Sequence, residues 1–166
     1  MITASELRKL LDYDPKTGEF RWLVARSNRI KKYGIKKGQL TGVTGERPTI
    51  NIDHHVYRAS RLAFLWMTGR WPKKLIDHRN RNTRDNRWVN LREATHQQNS
   101  ANCRSKSSTG FKGVHYDARA KERKYMARIT VRGRTIGLGS FEPPDVAHVA
   151  YLVAAKKHFG EFARRR

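Results

Sequence analysis

Acidic residues are scarce in this 166-residue chain: 14 Asp and Glu stand against 36 Lys and Arg, a formal net charge of +22 with a pI near 11. A field of that size is costly for a compact fold unless a polyanion meets it, and nucleic acid is the expected partner. Cysteine is almost absent. Cys103 stands alone, which excludes an internal disulfide and a multi-cysteine zinc site. Long apolar runs are missing as well. Only 37% of the residues are hydrophobic, which points to small modules rather than one large core. No basic amphipathic helix suggests a membrane surface. Glu6, Arg8 and Lys9 interrupt any apolar stretch near the start, so no secretory leader is expected. An intracellular, reducing, cytoplasmic location follows as an expectation.

The pattern along the chain suggests an α+β protein. SELRKLL (5–11) reads as a short helix with Ser5 as its N-cap, and YDPKTGEFRW as a turn leading to a strand with Phe20 and Trp22 on one face. Residues 26–48 are basic and glycine-containing, a loop or loose hairpin. TINIDHHVYRA reads as two strands around Asp53-His54, followed by a helix that stops at Gly69 and buries Leu62, Phe64, Leu65 and Trp66. NCRSKSSTG (102–110) is small and polar, a linker. Beyond it FKGVHY, KYMARITV and RTIGLGSF are strand-like. They precede a helix opened by Pro143, Pro144 and Asp145 and closed by Gly160, with a stripe of Ala147, Ala150, Tyr151 and Ala154. Arg164, Arg165 and Arg166 read as an electrostatic tail.

The stretch LIDHRNRNTRDNRWVNLREATHQQN (75–99) carries the chemistry. Hydrolysing a phosphodiester needs an activated water, a cation on the transition-state charge and help for the leaving oxygen. A neutral imidazole such as His78 can take the water's proton near neutral pH. Mg²⁺ is hard and retains several waters, so one carboxylate and one amide oxygen suffice as protein ligands. If Asp77 and His78 end a strand, one can hold metal while the other faces water. An Asn on a following helix can supply the second oxygen.

This stretch resembles the HNH nuclease motif in its phage and intron homing-endonuclease branch. The shared elements are DH (77–78), Asn80, DNR (85–87), NLR (90–92), AT (94–95) and QN (98–99). YDPKTGEFRW and RLAFLWMTGRWP also look like this family, so the likeness covers nearly all of residues 5–103. The resemblance implies a ββα-metal (His-Me finger) core over 74–103, with His78 as general base and Asp77 as a metal ligand. Asn90 is then the central Asn that ties the loop, and Asn99 the second metal ligand in place of the motif's last His. Arg79 and Arg81 stand where the family commonly has an Ile and a Gly. His96 lies six residues after Asn90, not nine, and reads as a surface residue or phosphate contact. Arg79 and Arg92 are candidate phosphate contacts. For Asp85 and Asn86 the preferred reading is turn and cap chemistry, bonded only to the backbone.

The C-terminal stretch resembles the AP2 DNA-binding domain, through FKGV (111–114), ARI (127–129), LGSF (138–141) and AAKKHFGEFA (154–163). That family lays a three-stranded antiparallel sheet in the major groove with a helix behind. Period-two alternation places Tyr125, Ala127 and Ile129 towards the helix and Lys124, Met126, Arg128, Thr130 and Arg132 outwards, with Lys112 on the same outer face. His115, Asp117, Thr135 and Gly137 stand where plant-type members read bases, so duplex affinity is expected rather than a defined target. The DNA-binding candidates are Lys112, His115, Lys124, Arg128, Thr130 and Arg132.

The organisation expected is a nuclease domain over 1–103, a linker over 104–109 and an AP2-like domain over 110–166. The function expected is metal-dependent hydrolysis of double-stranded DNA, by nicking or by cutting both strands. It would use one Mg²⁺ or Mn²⁺ per site and act as a monomer or weak dimer with no obligatory protein partner, in the cytoplasm of a phage host. The rivals are a non-enzymatic phage regulator that keeps the nuclease scaffold and, last, an RNA-binding protein.

Overall fold

The computed structural model describes residues 1–25, 34–105, 107–122 and 124–163. The chain divides into two compact units, Met1–Glu93 and Ala94–Arg166.

In the first unit, helix α1 (Ala4–Leu10) is started by Thr3 rather than Ser5. The reason is a capping box: Thr3 accepts from the Glu6 amide while the Glu6 carboxylate accepts from the Thr3 amide. Ser5 has Arg8 three residues on and cannot form one. Strands β1 (Leu11–Tyr13) and β2 (Phe20–Trp22) form an antiparallel hairpin, and β3 (Leu40–Thr41) pairs with β2. Of the basic loop expected over 26–48, residues 26–33 lie outside the described residues.

Strands β4 (Thr49–Ile52) and β5 (His55–Arg58) pair around Asp53-His54, both at positive φ as a tight primed turn requires. Helix α2 (Ala59–Thr68) follows and stops at Gly69. Its Leu62 and Leu65 join Leu7, Leu11, Tyr13, Phe20, Trp22, Ile50 and Ile52 in one core, with Trp66 packed against it. Phe20 and Trp22 share the buried face. Strand β6 (Leu75–His78) then pairs with β7 (Leu91–Ala94), which a short 3-10 turn, Trp88–Asn90, leads into. Leu91 anchors β7 in the core.

In the second unit, helix α3 (His96–Asn102) opens on a further capping box, Thr95 with Gln98. Strands β8 (Val114–Tyr116), β9 (Tyr125–Val131) and β10 (Arg134–Phe141) form an antiparallel sheet in the order β10-β9-β8. Helix α4 (Pro144–Phe159) covers one face, burying Ala147, Tyr151 and Ala155 against Val114, Ala127 and Ile129. A Cβ at Gly113 would run into the Tyr151 ring, so only glycine lets the sheet approach α4 there. Ser107 and Thr109, in the expected linker, bond to the Val114 carbonyl at 2.7 and 3.2 Å. The expected Arg164–Arg166 tail lies outside the described residues. Among the described residues, no helix is long and apolar enough to cross a membrane.

Glu93 ties α2's exit to β7. Its carboxylate accepts from Arg70 at 2.8 Å and from the Lys73 and Lys74 amides at 2.7 and 3.4 Å. These donors, Arg70 first, hold its pKa down to about 2. A depressed carboxylate stabilises the fold above its ordinary pKa of 4.5 and loses that contribution as pH falls towards 2. Glu93→Gln is therefore expected to lower stability by about 1 kcal/mol at pH 7, after allowance for solvent screening. The gap between mutant and parent should narrow below about pH 4.5 and close only as pH falls to about 2 in denaturant titrations.

Candidate active site

Strand β6 ends by burying two polar residues in succession, Asp77 (4% exposed) and His78 (8%). An ionised carboxylate in that setting needs a partner. Arg92, on the paired strand β7 and itself only 9% exposed, donates from Nε to Asp77 Oδ2 at 2.8 Å. Burial lowers the His78 pKa below its ordinary value of 6.5, partly offset by the Asn86 hydrogen bond and by the charges of Asp77 and Asp85. The imidazole is thus predominantly neutral at pH 7 and able to accept a proton. Its Nε2 lies 3.2 Å from Asn86 Oδ1.

The loop from Asn80 to Asn90 is closed by its own polar side chains. Asn90 Oδ1 accepts from the Asn80 amide at 2.9 Å, while Nδ2 donates to Asn80 Oδ1 at 3.0 Å and to the Asp85 carbonyl at 2.7 Å. Asp85 accepts from Arg87 Nε and Nη2 at 2.8 and 2.6 Å and from Asn80 Nδ2 at 2.6 Å. Its pKa is held down to about 2, chiefly by Arg87. Arg81 sits at φ +66°, a left-handed position where the resembled family has a Gly. The turn is kept without that Gly, at a cost of about 1 kcal/mol.

Three expectations need correction. Asp85 and Asn86 do not bond only to the backbone: Asp85 pairs with Arg87 and Asn80, and Asn86 reaches the His78 ring. Arg92 is no surface phosphate contact, because its guanidinium is buried against Asp77. Arg79 is exposed, beside the buried pair in sequence. Lys112 leaves the outward row of the sheet: its ammonium donates to the carbonyls of Ser100, Ala101 and Cys103 at the C-terminal end of α3. A cation there meets the orphan carbonyls and the negative end of the helix.

The remaining candidates fall in the second unit. Asn99 lies on α3 and is half-buried. Arg128, Thr130 and Arg132 are exposed on alternate residues from β9 into the β9–β10 turn, while Ala127 and Ile129 are buried. His115, opposite Met126, is exposed, and Lys124 is half-buried just before β9. Thr130 Oγ1 meets Thr135 Oγ1 of β10 at 3.2 Å.

No group of three His, Cys, Asp or Glu residues among the described residues could hold a metal ion. The donor chemistry is instead one carboxylate, Asp77, in a neighbourhood rich in amides. That set suits a hard divalent cation which keeps most of its waters, and does not suit zinc.

Comparison with known proteins agrees with this geometry. The family model described as HNH endonuclease matches residues 57–101, from within β5 into α3. That stretch is similar to the HNH endonuclease family, whose class of activity is nuclease. Over 154 residues the chain is 29% identical to an uncharacterised HNH endonuclease of Acanthamoeba polyphaga mimivirus, covering 92% of this chain and 70% of the relative. No solved structure matches it.

The buried ion pair makes a prediction. Arg92→Met should cost about 3 kcal/mol, because Asp77 would lose the buried guanidinium that β7 brings to it. Chemical denaturation at pH 7 reads this directly, and a loss below about 0.5 kcal/mol would mean that the pair is solvated in solution.

Proposed function

We propose that the protein is a divalent-metal-dependent endonuclease of double-stranded DNA, with His78 as the general base. One observation carries the reading: a buried acid–imidazole pair, its imidazole neutral at physiological pH, at a strand end within the stretch similar to the HNH endonuclease family. His78 accepts the proton of a water whose oxygen attacks phosphorus in line with the 3′ oxygen. The P–O3′ bond breaks, the 3′ oxygen takes up a proton, and the products are a 5′ phosphate and a 3′ hydroxyl. Asp77 and Asn99 would hold a divalent cation such as Mg²⁺ or Mn²⁺, which neutralises charge on the phosphate. Arg92 orients Asp77, and Asn90 keeps the loop beside it closed.

Grip on the duplex comes, in this reading, from the second unit acting in the manner of an AP2 domain. A sheet backed by a helix, with Arg128, Thr130 and Arg132 exposed on its other side, supports it. The net charge of +22 supports a polyanionic partner. Homing-type cleavage by a monomer or weak dimer is the corresponding biological expectation.

His78→Ala should lower plasmid nicking by at least about 1000-fold, within the range expected for a general base plus its positioning, and leave DNA affinity within about twofold. EDTA should abolish cleavage by the parent protein. A variant that nicks at the parental rate removes His78 as the base. A parent that binds but never nicks, with either metal, leaves the non-enzymatic regulator.

Arg128→Ala should weaken duplex binding and reduce the slope of log K against log[salt] by about 0.9 if it neutralises one phosphate. An unchanged slope would take the outward face of β9 off the DNA.

A further inference from the structure

The N-terminal hairpin turn presses on the loop that carries Asn86, at several points. Tyr13 Oη donates to the Asn86 carbonyl at 2.7 Å, a buried bond, and burial pushes the Tyr13 phenol pKa up, so it remains a donor. The Trp88 amide donates to the Pro15 carbonyl at 3.0 Å. Gly18, at φ +78°, lies so close that a Cβ on it would meet the Asn86 carbonyl carbon and the Arg87 nitrogen at 2.5 Å each. Both are backbone atoms, which cannot swing aside. Asn86 is 3% exposed, and its side chain ends at the His78 ring.

A neutral imidazole carries one proton on one of two nitrogens, and the hydrogen bond at one nitrogen decides which remains basic. An amide oxygen can only accept. We infer that Asn86 is a positioning residue for His78, its amide oxygen fixing the ring proton on Nε2, and that the turn from Tyr13 to Gly18 braces Asn86 for this role. The lone pair then belongs to Nδ1, so Nδ1 is the atom that takes the water's proton. The catalytic part of this statement rests on the function proposed above; the tautomer does not. The brace also gives the N-terminal segment a duty beyond filling the core: it sets an atom two contacts away in the site.

The test separates the two. In the ¹⁵N-labelled full chain at pH 8, long-range proton–nitrogen correlations report the tautomer of each histidine, and His78 is assigned by the signal lost in His78→Gln. The expected spectrum shows His78 protonated on Nε2 in the parent. Asn86→Ala should convert it to a tautomer mixture, Asn86→Asp, which keeps an acceptor oxygen, should restore it, and Gly18→Ala should shift it in the same direction as Asn86→Ala. At saturating DNA, Asn86→Ala should nick about 10- to 100-fold more slowly, the range for lost support of a site ligand, with affinity within about twofold. A parent His78 protonated on Nδ1 overturns the inference outright, and only the His78→Gln assignment variant needs to fold for that result. So does an Asn86→Ala protein with parental tautomer and parental rate. If His78→Ala nicks normally while the parent shows Nε2–H, the function proposed above fails and the positioning role of Asn86 stands.

Discussion

Burial of Asp77 and His78 at the end of β6 is the constraint around which the first unit is arranged. Two polar side chains at 4% and 8% exposure cannot be left to solvent, so the fold must bring a partner to each. The partners arrive from different directions. Arg92 comes from the adjacent strand, and reaches Asp77 only while β7 stays beside β6. Asn86 comes from the loop between them, and reaches His78 only while that loop stays closed. Asn90 closes it with three hydrogen bonds, and the hairpin turn at 14–18 lies across its far side. The apolar core enters here as well. Leu91 buries the start of β7, and Tyr13 belongs to the core at its ring and to the loop at its hydroxyl. Core packing is thereby transmitted to the imidazole through a short series of rigid contacts.

Much of this was legible in the sequence, and the part that was not has a common cause. Local rules identify the hairpin at Asp53-His54, the stop of α2 at Gly69, the shared face of Phe20 and Trp22, and the three strands and helix of the second unit. Turn chemistry and periodicity act over a few residues, and those residues are adjacent in the chain. The misreadings concern side chains whose partners are distant in sequence. Arg92 reads as a phosphate contact only through its nearness in sequence to the site; its burial depends on a carboxylate fifteen residues away. Asn86 sits in a DNR whose spacing equally suits a turn, and nothing local indicates that its amide points at a histidine eight residues back. Strand alternation puts Lys112 on the outer face, but the residue precedes β8 and is captured by the end of α3. The N-cap is the exception, since Thr3-x-x-Glu6 is a local signal that should have displaced Ser5.

The scarcity of acid has a structural counterpart. Several of the few carboxylates are engaged locally: Asp77 with Arg92, Asp85 with Arg87, Glu93 with Arg70 and Glu19 with Arg21. With so few acids, and these committed close to home, most of the 36 basic groups must find their counter-charge outside the chain. Where they cluster on regular structure, the geometry of that structure determines what they fit. Arg128 and Arg132 lie four residues apart along β9 and into its turn, with Thr130 between them on the same side. At the rise of a strand Arg128 and Thr130 stand about 7 Å apart, and Arg132 follows at φ +49° in the turn just beyond β9. A helix face would spread the same side chains around a cylinder, and a loop would leave their spacing undefined. A strand stiffened by neighbours on both sides, with α4 packed on its other face, holds them at a fixed interval. That rigidity favours a regular polyanion over a flexible one, since a duplex repeats its charges at intervals the strand can match while a single strand must first be ordered.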